Sequence, residues 1–338
     1  MFSDENFIHF RYNIKKMKNI LLIILALFFA SIFSEAISFN RIIYPIKTKD
    51  DSGYELRQTQ APQRIVSASP AVTEILFAYN LQDRIVGVTE NCDYPEDAKK
   101  IEKVGKDKLD IKKLLKLKPD LVIVLIDEKL FNLEALRKLK YTTMLSTETS
   151  STLEVFAVDP KSLSDIKEYF RTIGTITNRE HAAYSLLQRF NRRLDWVEAR
   201  AKKEKRLKAL MITSKRPVIA AGEGSYLNDI LTTAGFTSVA PKGKDLFIKM
   251  DRKEIEKAAP DIVITSTKVA GNPKDIYGNR NFRKTSAGEN KKAVCIEKDI
   301  LLRPGPRLAQ AVENMAEYAY GWPARGKEVE GENEESKQ

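Results

Sequence analysis

Between Glu180 and Lys203 the chain reads EHAAYSLLQRFNRRLDWVEARAKK, with no glycine or proline inside it. Ala183, Leu187, Phe190, Leu194, Val197 and Ala201 recur at alternating spacings of four and three, which places one apolar stripe along a helix. Asn178 upstream is the expected N-cap, and basic residues crowd the far end, where the helix dipole favours them. At about 1.5 Å per residue, roughly 24 residues make a rod on the order of 36 Å, long enough to join two lobes.

On either side of this rod, short β-branched runs alternate with helical spacing. Before it, strands are expected at Arg64–Ser69, Arg84–Thr89, Asp120–Leu125, near Thr142–Ser146 and at Val155–Asp159, with helices at Val72–Asn80, Ile111–Leu117 and Leu130–Leu139. After it, strands are expected at Lys208–Thr213, Pro217–Gly222, Asp261–Ser266 and Ala293–Glu297, with helices at Tyr226–Ala234 and Leu308–Tyr320. This alternation predicts an α/β protein of two Rossmann-like lobes with parallel sheets, joined by one long interlobe helix. In such sheets ligands sit at the carboxyl ends of the strands, so Ser69, Pro70, Asn91, Asp107 and Leu125 point toward one crevice.

An internal echo supports the two lobes. LDIKKLLKLKPDLVIVL, Leu109–Leu125, aligns without a gap on MDRKEIEKAAPDIVITS, Met250–Ser266. The alignment pairs Asp110 with Asp251, Lys112 with Lys253, Leu114 with Ile255 and Asp120 with Asp261. A weaker echo pairs Thr73-Glu74-Ile75-Leu76 with Asn228-Asp229-Ile230-Leu231.

At the N-terminus, Lys15, Lys16 and Lys18 precede the apolar run Ile20–Phe33 and then Ser34-Glu35-Ala36, the layout of a secretory signal cut after Ala36. An uncleaved membrane anchor is the alternative, and Met17 is an alternative start. The expected organisation is a signal at 1–36, an extension at 37–63, lobes at 64–177 and 206–323, the joining helix at 178–205 and a disordered acidic tail at 324–338.

The 338 residues carry 57 Lys+Arg against 46 Asp+Glu, a net charge of +11 spread along the chain rather than gathered with aromatics into a nucleic-acid stripe. With only His9 and His181, neither a histidine-built metal site nor a Ser-His-Asp set is expected. No GxxxxGK[ST] loop is present, and Gly222-Glu223-Gly224 ahead of a helix reads as a tight turn before it reads as a phosphate cradle. Cys92 and Cys295 fall in different lobes and are expected as free thiols. A secreted two-lobed chain without a catalytic group, a metal or a resident cofactor reads as a monomeric binder rather than an enzyme.

Several stretches resemble the periplasmic substrate-binding proteins of ABC importers for cobalamin, ferric siderophores and haem. They are RIVSASPAVTEIL from Arg64, RIVGVTENCDYP from Arg84, LLKLKPDLVIV from Leu114, VDPKS from Val158, GEGSYLNDIL from Gly222 and LRPGPR from Leu302. The CDYP and RPGPR wording is most similar to the cobalamin branch. The resemblance implies a periplasmic protein that holds a metal chelate between its lobes and docks on a membrane permease with its ATPase. It also implies a ligand site at Asn91, Asp107, Leu125, Ile219 and Phe247, of which only Phe247 is aromatic, with Arg303 and Arg307 available to ligand carboxylates. Family members commonly place a glutamate on each lobe for the permease, where this chain has Lys112 and Lys253. An acidic permease, or docking through Glu74 and Asp229, is the corresponding expectation. A ligand-binding sensor and a metal-cofactor-processing enzyme on the same fold are the alternatives.

Overall fold

The computed structural model describes residues 44–106, 108–126, 132–142 and 150–322. Asp107, the expected signal and the expected acidic tail lie outside the described residues.

The chain enters through an antiparallel pair, β1 (Ile46–Lys49) and β2 (Glu55–Gln58), which the sequence reading left as a featureless extension. Asp50 in its turn explains the pairing: its carboxylate accepts the backbone N–H of Ser52 and Tyr54 at 3.0 Å and, from the first lobe, that of Ala157 at 3.0 Å. Then follow β3 (Ile65–Ser67), α1 (Pro70–Ala78), β4 (Ile85–Val88), α2 (Ile111–Lys116), β5 (Leu121–Leu125), the short antiparallel pair β6 (Lys140–Thr142) and β7 (Ser150–Thr152), and β8 (Glu154–Val158). The first-lobe sheet has the order β4-β3-β5-β8 and is parallel throughout. Its strands are buried on both faces, as a parallel sheet covered by helices requires.

Two helices follow β8: α3 (Leu163–Thr177), which belongs to the first lobe, and the joining rod α4 (Glu180–Ala201), 22 residues long. The sequence reading missed α3, although Ser162 and Asp165 form a full capping box at its start. Asn178 does not cap α4. It ends α3 in the left-handed conformation (φ 57°), which Asn tolerates, and Arg179 takes the N-cap position instead. The apolar stripe of α4, widened by Leu186, packs on α3 from one lobe and on the last helix, α7, introduced below, from the other.

The second lobe contains β9 (Lys208–Lys215), β10 (Val218–Ala221), α5 (Tyr226–Thr233), β11 (Thr237–Ser238), β12 (Phe247–Met250), α6 (Arg252–Ala258), β13 (Ile262–Ser266), β14 (Ala293–Ile296) and α7 (Leu308–Tyr320). Its sheet runs β12-β10-β9-β13-β14, with β11 beside the start of β9. The sheet is mixed, not parallel: β10 is antiparallel to both β9 and β12. The reason is local, since only Arg216 and Pro217 separate β9 from β10 and a connection so short can only reverse the chain.

The internal echo corresponds to a shared construction. In the first lobe Asp120 accepts the backbone N–H groups of Gln63 and Arg64 at 2.7 and 3.0 Å, pinning the start of β3. In the second, Asp261 accepts the N–H of Lys208 at 3.0 Å and pins the start of β9. Asp110 and Asp251 cap α2 and α6, and Leu114 and Ile255 are the one fully buried residue of each helix. Among the described residues no helix is long and apolar enough to cross a membrane.

Candidate functional site

Ser67 is in register with Val88 of β4 and with Ile123 of β5, so the segments that follow these strands emerge side by side. Ser69 and Pro70 open α1 there, Asn91 lies three residues beyond β4, and Leu125 ends β5. Their exposure differs. Asn91 is exposed and Leu125 and Pro70 are half-buried, but Ser69 is buried, and its hydroxyl has no hydrogen-bond partner. In the second lobe, Ala221 pairs with Phe247 and Ile219 with Lys249. These four side chains share one face of β10 and β12, because strand side chains alternate. The opposite face, Val218, Ala220 and Met250, is core. Phe247 stands 53% exposed, an unusual position for a large apolar ring.

Arg303 and Arg307, expected to face a ligand, are committed to protein carboxylates across the lobes. Glu74 of α1 is 4% exposed and accepts from Arg307 through both oxygens, at 2.7 and 3.0 Å, and from Arg303 at 3.3 Å. Arg303 also reaches Asp93 at 2.8 Å, Asp299 at 2.8 Å and the carbonyl of Asn91 at 3.2 Å. This bidentate, charge-assisted set fastens the Asn91–Asp93 loop and α1 of one lobe to the segment 303–307 of the other. Burial works to raise the Asp93 carboxyl, but the hydrogen bond and charge of Arg303 outweigh it and hold Asp93 below the ordinary carboxylate range.

A second clasp runs the other way. Asp229 of α5 accepts the backbone N–H of Leu163 at 2.8 Å, and the N–H of Tyr226 donates to the carbonyl of Lys161. Burial pushes the Asp229 carboxyl up, partly offset by the Leu163 N–H, and Asp165 nearby adds to the rise. Glu74 and Asp229, the pair that the weaker echo aligns, therefore each hold the crossing segment of the other lobe. Glu74 is buried in its ion cluster, and Asp229, half-buried, is turned to α3.

Lys112 and Lys253 occupy the same exposed position, two residues after the capping aspartate, on α2 and α6. Residues that sequence reasoning passed over are Asp93 and Asp299, whose pairing with Arg303 depends on contacts 210 and four residues apart. Asp93 did lie inside the CDYP wording, the one signal that could have marked it. Gly222 serves the backbone rather than a phosphate: a Cβ there would lie 2.0 Å from the carbonyl oxygen of Asp245. Among the described residues no group of three or more His, Cys, Asp or Glu is placed to hold a metal ion.

Comparison with known proteins places this architecture. The chain is 27% identical over 283 residues to the uncharacterized ABC transporter substrate-binding lipoprotein YvrC of Bacillus subtilis strain 168, covering 82% of this chain and 86% of that one. It is 24% identical over 259 residues to a vitamin B12-binding protein of Vibrio cholerae, covering 76% and 88%. A solved structure, a possible iron-binding (periplasmic solute-binding) protein from Staphylococcus epidermidis, superposes with a TM-score of 0.66 at 25% identity, over 77% of this chain and all of the other. The family model described as periplasmic binding protein matches residues 65–300, from β3 to just past β14. With both sheets and the joining rod inside that match, this chain belongs to the periplasmic binding protein family.

Proposed function

We propose that this chain is an extracytoplasmic substrate-binding protein that captures a metal chelate between its lobes and delivers it to the permease of an ABC importer. The observation that carries this reading is the face of β10 and β12 on which Phe247 and Lys249 stand exposed beside a half-buried Ile219. An apolar ring and an ammonium on one strand face suit a ligand that is both apolar and anionic. Asn91, Leu125 and Pro70, at the strand ends of the first lobe, supply the opposite wall, with Asp107 as a further expected contact outside the described residues. The relatives' names, one a vitamin B12-binding protein and one a transporter substrate-binding lipoprotein, support the transport role, and corrinoid, haem and ferric siderophore are the chelate classes we test. Only Phe247 among the expected cleft residues is aromatic, so an anionic ferric chelate fits this wall better than the broad faces of a corrin.

A thermal-shift screen of the secreted chain, from Ile37 onward, tests the reading against cobalamin, cobinamide, haem and catecholate and hydroxamate ferric siderophores. A ligand that binds only the folded form raises the midpoint with concentration. A shift with an anionic ferric chelate, reduced in Phe247→Ala and Lys249→Glu, is the expected result. A shift with none of them overturns chelate capture and moves the reading to the sensor.

Lys112 and Lys253 belong to the same proposal as the docking pair, meeting acidic residues on the permease, one on each lobe. The first 36 residues act as the secretion signal that takes the chain there.

A further inference from the structure

A cavity of about 440 Å3 opens at the far end of α1 from Ser69 and Pro70. Only Arg307 of the expected ligand-binding residues lines it. Its walls come from three bodies: Phe77 and Ala78 of α1 with Tyr94, Leu186 and Arg189 of α4, and Pro306 next to Arg307. The volume lies within the range of small-molecule sites, and most of the lining is apolar, as in such sites.

The guanidiniums at its wall differ in their partners. Arg307 is matched by Glu74, and Arg193, one turn beyond Arg189, is matched by Glu313 at 2.9 Å. Arg189 also lines the cavity, is exposed, and has no hydrogen bond or ion pair among the described residues. Of the three guanidiniums that line the cavity, Arg189 is the one without a carboxylate partner among the described residues. Beside it, the guanidinium of Arg307 lies 4.0 Å from the centroid of the Tyr94 ring, which remains 47% exposed. Aromatic walls at Phe77 and Tyr94 suit a planar ring by offset or edge contact.

We propose that this cavity is a second binding site, separate from the interlobe ligand face, for a ring-bearing organic monocarboxylate. The carboxylate pairs with Arg189 and the ring lies against Phe77, Leu186 and Tyr94. Because the walls belong to both lobes and to the joining helix, an occupant favours the lobe arrangement that brings them together, and ligand capture is linked to its presence.

Titration of the purified protein with 2-naphthoate, followed by calorimetry, tests this. The expected result is saturable binding of one molecule per chain, with the neutral 2-naphthamide at least about tenfold weaker, as a charge-assisted contact requires. Arg189→Glu weakens naphthoate by about tenfold and leaves the amide unchanged. Ala78→Phe fills the cavity and removes both, while Phe247→Ala, on the interlobe face, changes neither. Circular dichroism and the unfolding midpoint establish that the variants fold, and Arg189→Glu, at an exposed position, carries the test by itself if Ala78→Phe does not. Absence of saturable binding, equal affinity for acid and amide, indifference to Arg189→Glu, or loss of binding in Phe247→Ala overturns the proposal.

Discussion

Glu74 is the residue on which the two lobes most depend. Its carboxylate is almost wholly buried and answers two guanidiniums, so removing its charge leaves both partially uncompensated out of water. Glu74→Gln, nearly isosteric, is expected to lower stability by about 3 kcal/mol in urea unfolding. Asp93→Asn should cost under about 1 kcal/mol, because the Asp93 side chain is 46% exposed and water screens its pair. The same aspartate gives a pH signature. Its carboxyl is held below the ordinary value of 3.8 in the folded chain, so the unfolded chain binds the proton more readily. That stabilisation is present above about pH 4 and is lost as the pH falls through the depressed folded value. The unfolding midpoint should therefore drop more steeply below about pH 4 in the native chain than in Asp93→Asn, and coincident profiles would remove this role.

At the scale of elements, α4 is gripped at both ends by a glycine. Gly174 of α3 faces Ala183 in the second turn of the rod, and Gly235, just past α5, faces Ala201 at its end; a Cβ at either glycine would lie 2.5 Å from the alanine Cβ. Gly174→Ala gains about 1 kcal/mol of helix propensity. The overlap is between atoms fixed to two backbones, so overpacking wins and the net loss is about 1–3 kcal/mol. Moving the glycine across, Gly174→Ala with Ala183→Gly, should recover most of that in thermal unfolding; failure to recover would show that the contact is not what matters. The rod itself was legible because its stripe repeats at helical spacing over six turns. Its neighbour α3 was not, although Ile166, Phe170, Ile173 and Thr177 are buried at spacings of four and three. Gly174 inside it and the polar start SLSD masked that pattern. Nor could periodicity see that Asn178 ends one helix rather than starting the next, since Asn serves in both places.

For the whole molecule, the two lysines at equivalent exposed places on α2 and α6 are the proposed docking pair, one on each lobe. If the permease is acidic there, Lys112→Glu with Lys253→Glu lowers uptake in a reconstituted transport assay by about tenfold, and more at low salt than at high. Unchanged uptake would sink the docking assignment. The sequence by itself determined the α/β class, the rod and the duplicated helix-to-strand unit, because hydrophobic period is local and a repeat is read directly along the chain. It also carried the family wording that located the crevice-side loops. Only the tertiary structure decided which charges are available. Arg303 and Arg307 read as ligand-binding cations and Glu74 as a docking residue, and the fold brings these positions, some 230 residues apart, into one buried ion cluster. Which carboxylate a guanidinium meets is a property of through-space distance and desolvation, and neither is written in spacing along the chain.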